Sequence, residues 1–365
     1  MWKDLLIMNG IKDNIGINRE EMNMKYLLFP LLLLAFLCSS CEDKGETVVE
    51  VTSFPQVGSL IGAEIAIPTP ILLPRYIGVL DNYLFVYKER EENLFALFRL
   101  DDTSYIQDVG TRGQGPDEFN LLDTRSFNTT ADNNEFTVME VGSNLLKTVK
   151  YDGQRLSVTD SKSIFGQGVS NNGFYALADN MYLTLGRLER DNEFCLLDGK
   201  TEELVEKGDY PEWTKMEKKM NTPPLFVPYL KTCVVHPSGK KFAAFYCRFK
   251  RLRIYDNFVN LLYDVDVKIP PCSTSFEKPI QEQPVYYIGQ PFATDHYIYV
   301  LCANSNTGVD QYELQVWNWE GEPLACYRFD RKLSMMTISL KKKKIYALDN
   351  QIDSELYIYD LPLLN

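Results

Sequence analysis

The 365-residue chain has a formal net charge of -12, 13% aromatic residues and only two histidines. An acidic body of this kind excludes nucleic acid as a partner, because a phosphate backbone is bound by clustered basic side chains. The cysteines at 195, 233, 247, 272, 302 and 326 form no C-x-x-C pair, which argues against zinc and thioredoxin-type sites.

Residues 24–40 read as a secretory signal. Lys25 supplies the basic start, the run Leu27 to Leu37 the apolar core, and Ser39-Ser40 the small residues before the cut. The stretch ends at Glu42-Asp43-Lys44, short of the roughly 20 apolar residues a spanning helix needs. Cys41 directly after the small pair is the expected lipidation site, although Cys38 stands three positions earlier, where an aliphatic residue is usual. Cleavage without lipid and a short anchor helix are the alternatives. A signal is read at an N-terminus, so residues 1–23 are expected to precede the true start, with translation beginning at Met22 or Met24. Residues 41–46 then form a short tether, and residues 47–365 the folded body.

Beyond the tether, short runs rich in Tyr, Phe, Val, Ile and Leu recur between turn residues, as in Tyr83-Leu-Phe-Val-Tyr87, Met181-Tyr-Leu-Thr-Leu185 and His296-Tyr-Ile-Tyr-Val-Leu301. These are strand signals. An apolar strand ending in an acidic residue and a turn repeats at Leu100-Asp101-Asp102, Tyr151-Asp152-Gly153, Leu197-Asp198-Gly199, Tyr255-Asp256-Asn257 and Trp319-Glu320-Gly321. Successive acidic members lie 51, 46, 58 and 64 residues apart, the period of a four-stranded blade with its loops. A second series of turns, at Asp81-Asn82, Asp132-Asn133, Asp179-Asn180, Ser238-Gly239, Asp295-His296 and Lys342-Lys343, counts six.

The expected fold is therefore all-β, a six-bladed β-propeller. The last unit ends on Leu356-Tyr-Ile-Tyr-Asp-Leu361 with no fourth strand to follow, so an N-terminal strand, within either 47–51 or 63–67, is expected to close the last blade. Two insertions interrupt the period: residues 209–225, read as containing a short helix over 211–220, and the proline-containing loop 270–284. Both belong on the face where the links between blades emerge.

Cys195, Cys233 and Cys302 sit inside apolar runs and read as free buried thiols. Cys233 with Cys247 is the best disulfide alternative, given a turn at Pro237-Ser238-Gly239. Trp317 and Trp319 point to one side of a strand and suit packing. His236 and His296 fall in first hairpin turns, on the opposite face from the blade links. No nucleophile elbow, zincin or EF-hand pattern is present, so no catalytic residue, metal ligand or cofactor is assigned.

Gly110-Thr-Arg-Gly-Gln-Gly-Pro-Asp-Glu-Phe119 has three glycines and a proline in seven residues. Such a backbone serves either as a plain blade connection or as a cradle turning N–H groups toward an anion. Arg112, Gln114, Asp117 and Glu118 are its candidate ligand-binding residues. Charged links at Lys88-Glu-Arg-Glu-Glu92, Arg187-Leu-Glu-Arg190 and Arg248-Phe-Lys-Arg251 share that face, so Arg187, Arg248 and Trp213 complete a candidate rim.

The decapeptide, the lipoprotein signal and the sixfold spacing together resemble the six-bladed β-propeller lipoproteins of Bacteroidetes, the TolB-like propeller group. The resemblance spans most of the mature chain. It implies a cell-envelope protein, an outer-membrane lipoprotein facing the periplasm or the outside, with no assigned reaction. Glu42-Asp43 after the lipid cysteine resembles the export tag of surface lipoproteins. The expected function is a binding or scaffolding module, held to the membrane by its lipid, with an envelope protein or glycan as partner. The alternative is a metal-dependent hydrolase or lyase using acidic residues at the central channel.

Replacing Cys41 with Ala is expected to release the protein from membranes into the soluble fraction. Acyl chains on the variant, or unchanged membrane fractionation, would contradict the lipid assignment.

Overall fold

Two classes of strand follow from the sequence. Runs such as Tyr83–Lys88 and Lys241–Tyr246 are apolar almost throughout and buried nearly end to end. They need cover on both faces, as strands do when sheets stack face to face. Polar runs such as Leu156–Ser163 are exposed along most of their length and suit an outer edge. The computed structural model describes residues 48–130, 134–164, 173–185, 192–211, 228–273 and 278–364. Among these no helix is long and apolar enough to cross a membrane.

Three short strands come first: β1 (Val48–Val51), β2 (Gln56–Leu60) and β3 (Ala63–Ala66). Blade 1 holds β4 (Pro74–Leu80), β5 (Tyr83–Lys88), β6 (Asn93–Arg99) and β7 (Tyr105–Thr111). Blade 2 holds β8 (Asn128–Thr130), β9 (Glu135–Glu140), β10 (Leu145–Tyr151) and β11 (Leu156–Ser163). In blade 3 these are β12 (Phe174–Ala176), β13 (Met181–Leu185), β14 (Asn192–Asp198) and β15 (Leu204–Asp209). Blade 4 follows with β16 (Lys231–Val235), β17 (Lys241–Tyr246), β18 (Arg251–Asp256) and β19 (Leu261–Val267). Blade 5 comprises β20 (Val285–Ala293), β21 (Tyr297–Ser305), β22 (Glu313–Asn318) and β23 (Pro323–Phe329). Blade 6 has only β24 (Met335–Ser339), β25 (Lys344–Leu348) and β26 (Glu355–Asp360) from the C-terminal part.

The missing fourth strand is β3, antiparallel to β26 with Ile65 opposite Leu356. Of the two segments expected as closing strand, 63–66 fills the role and 48–51 does not. β1 instead adds in parallel to β19, with Val51 opposite Val267, and β2 adds in parallel to β23. The N-terminal segment thus runs along the outer edges of blades 4, 5 and 6 in turn, giving blades 4 and 5 a fifth strand. Its backbone is tied down between strands by Lys268 N to Val51 O and Asp330 N to Leu60 O, 2.8 and 3.1 Å.

Each pair of neighbouring blades shares its own apolar cluster. Phe85 and Phe95 of blade 1 meet Phe136 of blade 2, and Ile77 and Phe98 of blade 1 meet Leu348 of blade 6. Trp317 and Trp319 of blade 5 pack with Phe245 and Val265 of blade 4, the packing role expected of the tryptophans. Phe54, on the segment between β1 and β2, lies edge-on to Trp317 at 5.1 Å. The acidic markers fall at the ends of third strands, and the described turns of the second series join first and second strands. The six cysteines are free, so the Cys233–Cys247 bridge is not formed. The helix expected over 211–220 lies outside the described residues.

Candidate functional site on the blade-link face

In every blade the end of the second strand, the start of the third and the end of the fourth emerge on one face, together with the link to the next blade. The decapeptide lies there, between β7 and β8. Phe119 is fully buried against Phe95, at 5.7 Å, and anchors its far end. Phe119 N–H donates to Thr111 O and Gly113 N–H to Phe119 O, both at 3.0 Å, pulling the loop into a closed turn.

The anion cradle expected of this loop exists, and its own carboxylate fills it. Gly115 N–H donates to Glu118 Oε2 at 2.7 Å. A Cβ at Gly113 would stand 1.9 Å from that same oxygen, so a larger residue there would displace the Glu118 carboxylate from the loop. Glu118 is therefore a loop-closing residue, contrary to its expected ligand role. Asp117 is likewise engaged: its Oδ1 accepts the Val158 N–H of β11 at 2.9 Å, pinning the loop to blade 2. Arg112 donates to the carbonyls of Glu89 and Glu91 in the blade 1 link, which ties it to that link. Of the four loop candidates, Gln114 alone has a side chain with no hydrogen-bond partner among the described residues.

Beside the loop a cleft of about 1050 Å³ opens between the decapeptide, the β9–β10 link and the β11 edge, and both Arg112 and Gln114 line it. Glu140 and Lys147, a buried ion pair at 2.7 Å, form part of its wall. Glu140 also accepts from Asn120 N–H at 2.9 Å and Ser143 Oγ at 2.8 Å, while Lys147 Nζ donates to Glu118 O at 2.8 Å. Burial pushes the Glu140 carboxyl up, but the Lys147, Asn120 and Ser143 hydrogen bonds outweigh it and hold the pKa below its ordinary value. With the Glu140–Lys147 charges mutually satisfied, the groups open to a ligand include the Gln114 and Asn120 amides, the Ser161 hydroxyl and the Asp160 carboxylate. Sequence reasoning missed Asn120, Glu140, Lys147 and Asp160, which converge only once β9, β10 and β11 pair.

Arg187 and Trp213 lie outside the described residues. Arg248 stands in the blade 4 link and is not among the residues that line the cleft.

The centre of the ring is occupied. The β20–β21 register shifts between Ile288 and Phe292, and Gln290 in that irregular stretch reaches across to blade 2. Its Nε2 donates to the carbonyls of Arg125 and Phe127 at 3.4 and 3.2 Å. Among the described residues no group of three or more His, Cys, Asp or Glu is arranged to hold a metal ion. Buried acids within the blades are already paired. Glu193 accepts the Tyr246 hydroxyl at 2.7 Å and pairs with Lys231 at 3.3 Å, and Asp264 is held by Arg251 and Arg253 at 2.5 and 2.8 Å. Burial, reinforced by Glu193, drives the Tyr246 hydroxyl pKa well above its usual range.

No protein-family model matches the chain, and no curated protein matches it. Among solved structures, a Bacteroides fragilis protein inferred to be exported is similar with a TM-score of 0.52 at 12% identity, over 87% of this chain and 100% of that one. A member of the DUF4221 family from Bacteroides vulgatus is similar with a TM-score of 0.56 at 11% identity, over 83% and 97% of the two chains. At these identities the likeness establishes the fold alone.

Because the folded-state pKa of Glu140 is depressed, its stabilisation is present above the ordinary carboxyl value of 4.5 and is lost as pH falls through the lower folded value. Glu140→Gln should therefore cost about 2 kcal/mol at pH 7, and much less near pH 3. Urea unfolding of both proteins at the two pH values checks this; an equal gap at both would contradict it.

Proposed function

We propose that the chain is a lipid-anchored binding module of the cell envelope, a member of the TolB-like propeller lipoprotein group of Bacteroidetes, that takes its partner on the blade-link face. The observation that carries the reading is the cleft beside the decapeptide. A self-closed loop, pinned by Glu118 and Asp117, holds Gln114 and Asn120 in fixed positions beside an open strand edge. Rigid scaffolds that present open polar groups bind at low ordering cost. The groups presented are hydrogen-bonding and mostly uncharged, which suits an envelope protein's polar segment or the hydroxyls of a glycan.

The signal pattern of residues 24–40, Cys41 and the exported character inferred for the Bacteroides fragilis protein support an envelope address, with an outer-membrane lipoprotein as its specific form. The alternative of a metal-dependent hydrolase or lyase at the channel has no observation in its favour.

The test is affinity capture from a membrane extract with the wild type and with Gln114→Ala/Asn120→Ala, reading bound protein and bound carbohydrate separately. Neither amide makes a side-chain hydrogen bond among the described residues, so the variant is expected to keep its melting temperature and lose its partner. Identical capture by both proteins would remove the cleft as the site.

A further inference from the structure

The N-terminal segment is held to the ring by apolar side chains that point inward. Val51 and Phe54 are buried in the cluster between blades 4 and 5, and Leu60 in the cluster between blades 5 and 6. Other apolar residues of the same region point the opposite way. Ile61, Leu363 and Val57, at 84, 76 and 74% exposure, are the three most exposed large apolar side chains among the described residues. They fall on one part of the outer rim, around the seam between blades 5 and 6. Val57 lies on β2 opposite Cys326 of blade 5, and Ile61 begins the turn from β2 into β3 of blade 6. Gln56, next to Val57, donates from its Nε2 to Leu363 O at 3.0 Å. Leu361 and Leu364 pack on the cluster that blades 5 and 6 share, so Leu363 faces outward although apolar cover lies beside it.

Scattered exposed apolar residues are ordinary, but a gathering of the most exposed ones marks a contact surface. The acids that flank the seam are neutralised, although the chain as a whole carries a net charge of -12. Glu64 and Asp330 are both held by Arg331, at 3.2 and 3.3 Å, and Asp360 is held by Lys344 at 2.6 Å. The same segment leads back in sequence to Cys41. With the lipid on Cys41, the reading on which this inference rests, seven residues separate the anchor from Val48, and they span at most about 25 Å. A tether this short brings the rim that carries β1 and β2 to the bilayer ahead of the rest of the ring. An acyl anchor and an apolar surface patch reinforce each other, because a single chain alone holds a protein only marginally.

We propose that the outer rim at the seam between blades 5 and 6 is a membrane-contact surface, with Val57, Ile61 and Leu363 entering the acyl boundary of the bilayer. The ring then stands on its edge, and the blade-link face with the cleft beside Gln114 stays open to solvent.

The test uses the lipidated full chain in vesicles of phosphatidylethanolamine and phosphatidylglycerol with brominated acyl chains, which quench an indole that reaches the hydrocarbon boundary. Ile61→Trp is compared with Leu204→Trp, on the outer strand of blade 3 across the ring, each read against the wild type. Both positions are exposed, so both variants should keep the wild-type melting temperature. Ile61→Trp is expected to lose about half of its added emission in the brominated vesicles, and Leu204→Trp none. Acyl content of the wild type by mass spectrometry, and release of Cys41→Ala from the vesicles, test the anchor separately. Anchored protein whose Ile61→Trp emission is unquenched would overturn the rim contact and leave the anchor standing, whereas a wild type without acyl chains would overturn both. Emission of Ile61→Trp that shifts to the blue with protein concentration before any vesicle is added would assign the rim to a second copy of the chain and also overturn the proposal.

Discussion

The free edge of β26 is the constraint on which the rest of the structure depends. A blade that ends on its third strand leaves a row of unpaired backbone groups, and a ring with one incomplete blade has an open seam. Ala63–Ala66 removes both problems by pairing with Glu355–Ile358. Loop-closure entropy grows only logarithmically with separation, so joining the two ends of the chain costs little more than joining neighbouring blades. Once β3 is in place, residues 48–60 can reach the edges of blades 4 and 5 only by lying along them, and they do so as parallel strands. The four-stranded meander of the blades puts their links on one face, and so fixes where any site built from those links must lie.

That face is also where charge enters the blades. Lys88 with Asp108, Glu140 with Lys147, Lys231 with Glu193, and Arg251 and Arg253 with Asp264 are buried or nearly buried pairs close to strand ends. Taking such groups out of water is costly, and each pair recovers the cost only through close geometry and added hydrogen bonds. Lys231 has further company, with its ammonium 4.9 to 5.7 Å from the rings of Phe194, Tyr246 and Tyr210. Against this pattern of paired charges, the free amides of Gln114 and Asn120 stand out as groups left for something outside the chain.

Much of the architecture was legible because it is written locally. An acidic residue and a turn after an apolar run mark the end of five third strands, and Asx or glycine turns mark most first hairpins, so period and blade count could be read without tertiary knowledge. Trp317 and Trp319 were legible for the same reason, since alternation along a strand places both on one face. The site was less legible. That Glu118 would occupy the loop's own N–H cradle depends on the fold of seven residues and the space left by Gly113. That β1 would pair with β19 depends on where the ring carries its edge. Gly289-Gln-Pro291 inside a strand was a signal for an irregularity, but its reach across the ring to Arg125 follows only from six blades being closed.

The most direct test of ring closure is hydrogen exchange followed by mass spectrometry on peptides covering residues 62–68 and 355–360. The account predicts that both are strongly protected and that they open together, with the same free energy, because each is the other's hydrogen-bonding partner. Rapid exchange in 62–68 with continued protection of 355–360 would show that β3 does not close the ring.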